Sequence, residues 1–233
     1  FRATRNGDLD IDEDEAEDLL LEIEKSLRQR RWGVAVRLEF CRGADPRIRS
    51  MLLDEMELGD EDLFEVNGPL DLTLLFRMYG FPGTSALKYP GYVPKQIPAF
   101  AGTEDLFEVI RKGDVLMHHP YESFIPVIDL IRSAARDPSV MAIKQTLYRV
   151  SGTSPIVQAL AEAAENGKQV TVLVELKARF DEANNIQWAK QLEKAGCHVI
   201  YGLVGLKTHS KITLIVRRSE ERRVGKECIY RWW

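Results

Sequence analysis

A mixed α/β fold is predicted for the second half of this chain, with an α+β part ahead of it, and three observations predict it. From residue 140 onward, short runs of Val, Ile and Leu alternate with longer amphipathic or Ala-rich stretches, the pattern of βαβ units on a parallel sheet. Only 202–207 separates the last two apolar runs. A parallel crossover needs roughly a dozen residues, so the final strand is expected to run antiparallel. Between 81 and 100 stand Pro82, Pro90, Pro94 and Pro98 with Gly83 and Gly91, a stretch that cannot hold regular ladders, and the domain boundary is placed there.

The elements follow in order. Asp8 to Asp18 is acidic and runs into Leu19, Leu20, Leu21, Ile23 and Leu27, then Arg28, Arg30 and Arg31. Acid first and base last suit a helix dipole, and a solvated helix start explains the acidic run better than metal binding. Val34 to Phe40 alternates as a half-buried strand. Asp45-Pro46 offers an N-cap and a first-turn proline for a helix to about Leu58, and Leu70 to Met78 forms a second after the Asn67-Gly68-Pro69 turn. Past the boundary, strands are expected at 115–118, 140–148, 169–176 and 197–201, with helices at 124–136, 155–166 and 182–195 between them. Gly167 and Gly196 end the last two helices. The antiparallel strand opens at His209.

A chain of 233 residues, 45% apolar and 29% charged, has an ordinary soluble composition with room for a real core. Its formal charge of −4 divides unevenly, about −10 over 1–110 and about +4 over 111–217, so only the second half is built for an anion. Cys41, Cys197 and Cys228 are scattered and odd in number, which suggests neither a disulfide framework nor a zinc knuckle and fits a reducing, cytoplasmic setting. No apolar run approaches the roughly 20 residues of a membrane span, and the start lacks the parts of a signal peptide. The chain opens on Phe1 without a methionine and is taken as a fragment.

Candidate chemistry gathers on one sheet edge. Side chains two apart on a strand project together, so His209 and Lys211 share a face, and an imidazole beside fixed positive charge stays neutral and nucleophilic toward phosphorus. Ligands of parallel sheets bind outside the carboxyl ends of the strands. Arg149 follows one such end and Arg179 another, and His209 falls on the same edge with Lys207 or Lys211. Three elements thus supply cations to one rim. His118 and His119 face opposite sides of their expected strand and are read as structural or as hydrogen-bonding near the site, His198 beside Cys197 is poor evidence for a metal, and no glycine-rich phosphate loop is present.

Three blocks carry a resemblance: Ala142-Ile-Lys-Gln-Thr-Leu-Tyr-Arg149, Val174-Glu-Leu-Lys-Ala-Arg-Phe-Asp-Glu182 and Gly205-Leu-Lys-Thr-His-Ser-Lys211. In content and spacing they resemble the signature blocks of polyphosphate kinase, the histidine-phosphorylated family. The resemblance covers nearly all of 1–217: 1–101 is similar to the later part of that family's head domain, which dimerises, and 111–217 to most of its first catalytic domain. It implies a phospholipase D-like mixed sheet with helices in the C-terminal part and an α+β head portion in the N-terminal part. The implied activity is reversible transfer of the terminal phosphate of ATP to inorganic polyphosphate through a phosphohistidine at His209. Arg149 and Arg179, by the same resemblance, are associated with magnesium and phosphate. A guanidinium cannot ligate a cation, so their link to Mg2+ runs through phosphate oxygens, with Lys207 and Lys211 also binding phosphate.

The implied partners are ATP, ADP and polyphosphate, with a homo-oligomer formed through the head domain, no nucleic acid, and a cytoplasmic location at most peripheral to a membrane. Phospholipase D enzymes carry His-x-Lys, four further residues and then Asp; Val216 stands at that Asp position, which argues against an ordinary phosphodiesterase. Phosphodiester cleavage and a non-catalytic polyanion-binding piece are the alternatives. Residues 218–228 resemble translated adaptor sequence and 229–233 match nothing in the family, so 218–233 is set aside as a non-native tail. The family's amino-terminal and second catalytic domains have no counterpart here, and the chain alone is expected to be inactive.

Overall fold

The computed structural model describes residues 1–7, 19–30, 33–103, 105–150, 154–176, 178, 181–202, 206–218 and 227–232. It divides into two compact units, 1–11 with 25–92, and 12–24 with 93–233.

In the first unit, strand β1 (Arg2–Arg5) pairs antiparallel with β2 (Ala35–Cys41), which pairs parallel with β3 (Leu63–Val66). Helix α1 (Leu19–Arg30), of which only residues 25–30 belong to this unit, precedes β2 in the chain, and α2 (Pro46–Glu55) follows it, started by the Asp45 carboxylate accepting the Arg47 N–H at 2.9 Å. Leu38, Phe40 and Leu52 form the buried cluster, with Ala3, Met56 and Leu63 packed on it. Glu39, also buried, is paired by Arg2 and by Arg37, which together hold its carboxyl below the usual range. Sequence periodicity found β2 and α2 but not β1 or β3. Four residues do not establish an alternation, and both are stabilised by partners distant in the chain. The helix expected from Leu70 shortens to α3 (Leu74–Tyr79), because the Asp71 side chain accepts the Thr73 N–H at 2.9 Å and closes a turn first. The acidic run 8–18 lies outside the described residues.

In the second unit, α4 (Leu106–Lys112) comes first, capped by Asp105 accepting from the Glu108 N–H at 3.0 Å. This helix was not predicted. The strand expected at 115–118 does not form: those residues pair with no ladder, and 118–122 instead closes a turn in which the Glu122 N–H donates to the His118 carbonyl. Then α5 (Ile125–Arg136), β4 (Val140–Leu147), α6 (Pro155–Glu165), β5 (Gln169–Val174), α7 (Glu182–Lys194) and β6 (His198–Tyr201) alternate as expected. β4, β5 and β6 are parallel, and β7 (Lys211–Arg217) pairs antiparallel with β4. The sheet order is β6-β5-β4-β7-β8, where β8 is Glu227–Trp232.

Two corrections concern its last strands. β7 starts at Lys211, so His209 precedes the strand instead of opening it. The tail set aside on its sequence supplies β8, antiparallel to β7 from Lys211↔Trp232 to Val216↔Glu227, so the sheet does not end at β7. An uncovered strand presents a row of free N–H and C=O groups that any nearby extended segment will pair, whatever its side chains.

The core lies between the sheet and α5, α6 and α7, where Ile131, Ile143, Val157, Leu160, Val172, Val174, Leu192 and Ile215 are buried. Cys197 belongs to this core. Burial, with the Glu165 carboxylate adding to it, pushes its thiol up to about 11. Since only the thiolate is nucleophilic, iodoacetamide at pH 8 is expected to alkylate exposed Cys41 and leave Cys197 unmodified until the protein is unfolded. Peptide mass spectrometry reads this out. Labelling of native Cys197 at the rate of Cys41 would contradict the packing described.

Candidate active site

Register sets where the site lies. Leu147 of β4 pairs with Val174 of β5, which pairs with Tyr201 of β6, so the three parallel strands end level. On β4's other side Gln145 pairs with Thr213, which brings the entry to β7 to the same edge. Tyr148 and Arg149 follow β4 directly, Glu175 follows β5, and Lys207 to Ser210 lead into β7.

Tyr148 is the centre of the group. The His209 ring packs edge-on against it, with centroids 4.9 Å apart and planes at 79°. Lys211 Nζ lies 4.3 Å from the same ring centre, and Lys207 Nζ and the Arg149 guanidinium carbon each lie 5.7 Å from it. A phenol ring attracts cations with its face and presents a positive edge to a neighbouring ring, so one side chain gathers three charges and orients an imidazole. Each such contact contributes only about 0.5–1 kcal/mol at an exposed site, enough to bias position without locking it. The three cations also repel one another, and an anion between them relieves that repulsion.

Arg149 Nε is 3.1 Å from Asp181 Oδ2, at the start of α7. The Arg149 side chain is 53% exposed, and an exposed ion pair of this kind is worth at most about 1 kcal/mol, so a phosphate can displace it. Lys211 Nζ donates to the carbonyl of His209. The segment that carries His209 is held from below. Thr208 N–H donates to Glu175 Oε2 at 2.7 Å, and Thr146 Oγ1 donates to the Ser210 carbonyl at 2.8 Å while accepting the Ile212 N–H at 2.8 Å.

Of the residues singled out by sequence, His209, Lys207, Lys211 and Arg149 come together here. Arg179 lies outside the described residues. His118 and His119 are on the 118–122 turn, where the His119 Nδ1 is 3.0 Å from the Glu122 carbonyl. Sequence reasoning did not single out Tyr148, Glu175 or Asn185. For Glu175 a signal existed, since a carboxylate directly after the nearly apolar 169–174 run is costly to bury without a purpose.

Among the described residues no three His, Cys, Asp or Glu side chains form a group that could hold a metal. Two carboxylates on this rim are engaged, Asp181 by Arg149 and Glu175 by the Thr208 amide. This donor set does not fit a resident Mg2+, which requires several oxygen ligands in octahedral array; it fits phosphate oxygens.

Comparison with known proteins agrees with the geometry. Residues 105–228 match the model of the polyphosphate kinase C-terminal domain 1, and residues 1–78 that of the polyphosphate kinase middle domain. The chain belongs to the polyphosphate kinase family. It is 59% identical over 224 residues to a polyphosphate kinase of Halalkalibacterium halodurans, covering 95% of this chain and 32% of that protein. With a polyphosphate kinase of Streptomyces coelicolor it shares 52% identity over 227 residues, 95% of this chain and 30% of that one. The chain therefore spans about a third of the length of the curated relatives it matches. The crystal structure of polyphosphate kinase from Porphyromonas gingivalis superposes with a TM-score of 0.68 at 29% identity, covering 81% of this chain and 28% of that one. The mixed α/β architecture expected from the sequence is thus the family's own.

Proposed function

We propose that a full-length polyphosphate kinase carrying this chain transfers the terminal phosphate of ATP reversibly to inorganic polyphosphate, with His209 as the phosphate carrier. The observation that supports this most strongly is the exposed His209 imidazole packed on Tyr148 within a ring of Lys207, Lys211 and Arg149. A lone pair of the neutral imidazole attacks the γ-phosphorus. The bond from that phosphorus to the β,γ-bridging oxygen breaks, and ADP leaves with the electron pair while the other ring nitrogen gives its proton to solvent. In the second half a terminal oxygen of polyphosphate attacks the phosphoramidate, the ring nitrogen takes a proton back from solvent as the P–N bond breaks, and the neutral imidazole is regenerated with the chain one phosphate longer. Neither step needs a group the rim lacks for charge. Phosphoryl transfer depends chiefly on positioning and neutralisation, which the lysines and arginines supply.

Magnesium enters this scheme on the nucleotide, as part of the substrate. Arg149 and Arg179 bind the phosphate oxygens that hold it, since guanidinium groups match those oxygens in pairs. Dimerisation through the 1–101 region and a cytoplasmic setting complete the reading; the free, buried Cys197 thiol supports a reducing compartment. No helix among the described residues is long and apolar enough to cross a membrane. A diesterase is disfavoured because Val216, where those enzymes need a carboxylate, is an interior residue of β7 paired with Ala142.

The test is synthesis. Given γ-labelled ATP and Mg2+, the full-length enzyme is expected to build label into long, acid-insoluble polyphosphate, and excess ADP is expected to return that label to ATP. Hydrolysis of a phosphodiester substrate without polyphosphate formation would overturn the proposal.

A further inference from the structure

Two buried polar side chains lie beneath the rim, and neither is part of the phosphate-binding set. Asn185, on α7, is 0% exposed; its Nδ2 donates to the Tyr148 carbonyl at 2.6 Å and to the Glu175 carbonyl at 2.8 Å. Its Oδ1 accepts no hydrogen bond among the described residues. Glu175 is 4% exposed, takes the Thr208 N–H on Oε2, and donates its own N–H to the Leu147 carbonyl at 2.9 Å. Apolar groups of the same size would cost less here, because a buried carboxylate and a half-satisfied amide each carry a desolvation penalty of a few kcal/mol.

These groups define geometry instead. The ladder of β7 starts at Lys211, so Lys207 to Ser210 have no strand pairing to hold them. Side chains replace it, Glu175 at residue 208 and Thr146 at residue 210, on either side of His209. Asn185 meanwhile ties the carbonyl of Tyr148, whose ring supports the imidazole, to the carbonyl of Glu175. The ring below His209 and the amide before it are thus referenced to one buried pair.

We infer that Glu175, braced by Asn185, is a positioning residue for His209: it anchors the backbone just ahead of the phosphate carrier and so sets the imidazole's line of attack. This rests on the reading of His209 as the carrier. The Glu175 carboxylate acts on the Thr208 backbone, one residue ahead of the imidazole, so its effect belongs in the rate of transfer and not in nucleotide binding. A displacement of about 1 Å at a reacting centre can cost on the order of a hundredfold in rate.

The measurement is single-turnover transfer of labelled phosphate to the full-length enzyme at several ATP concentrations. Glu175→Leu removes the acceptor at similar volume; Glu175→Gln keeps an oxygen for the Thr208 N–H and removes the charge. The leucine variant is expected to be slower by about tenfold or more at saturating ATP, with half-saturation within about threefold of wild type, and the glutamine variant to recover most of the rate. A folded leucine variant with wild-type transfer overturns the inference. So does a glutamine variant as slow as leucine, which would assign the effect to charge, or a defect confined to half-saturation. Where leucine does not fold, Glu175→Asp keeps the charge but withdraws the oxygen from Thr208; it is expected to be slow, and wild-type transfer in it likewise overturns the inference. If wild-type enzyme takes up no acid-labile label at His209, the carrier reading itself fails, an outcome distinct from all of these.

Discussion

His209→Ala in a full-length polyphosphate kinase carrying this chain is expected to abolish covalent phosphorylation and polyphosphate synthesis together. No neighbouring group can take over. Lys207 and Lys211 offer hydrogen-bond donors and charge, not a nucleophile, and the described carboxylates of the site are committed to Arg149 and to the Thr208 amide. The cations remain in the variant, so ATP is expected to bind with affinity within a few fold of wild type. Incubation with γ-labelled ATP followed by acid or alkaline treatment identifies the bond: phosphohistidine is lost in acid and survives base. Label retained on the alanine variant would mean that another residue carries the phosphate.

Arg149→Ala is expected to slow phosphorylation of His209 by roughly a hundredfold or more, since loss of one donor aimed at developing charge costs about 3 kcal/mol of barrier. The same loss is expected for Arg179→Ala. Stability gives the control at Arg149, because its exposed pair with Asp181 contributes little and the melting temperature should hardly move. Arg149→Lys keeps the charge and loses the two-pronged fit to phosphate oxygens, so it too is expected to be impaired. Full activity in Arg149→Lys and in Arg179→Lys would show that these positions supply only diffuse charge.

The sequence-based reading succeeded where one element's own residues carry the signal. The nearly apolar run from 169 reads as a strand on its own residues, with Val170, Val172 and Val174 forming its buried face, and Ser154-Pro155 and Gly167 punctuate α6, where the Ser154 hydroxyl accepts from the Val157 N–H. The reading failed where a partner decides. Leu63–Val66 becomes β3 because β2 lies alongside, whereas 115–118, with a comparable apolar pattern, finds no strand to pair with.

At the candidate site the same division holds. That Arg149, His209, Lys207 and Lys211 lie on one edge follows from counting residues, since a link as short as 202–207 compels an antiparallel return and the parallel strands must end together. Charge and motif likewise belong to the chain as written. That these cations share the Tyr148 ring, that His209 stands two residues ahead of its strand, and that Glu175 and Asn185 hold it from beneath belong to the tertiary structure alone. Each depends on contacts between residues 10 to more than 60 positions apart, such as Asn185 with Glu175 and Thr146 with Ser210, and side-chain direction at a strand's end is set by whatever packs there and not by periodicity.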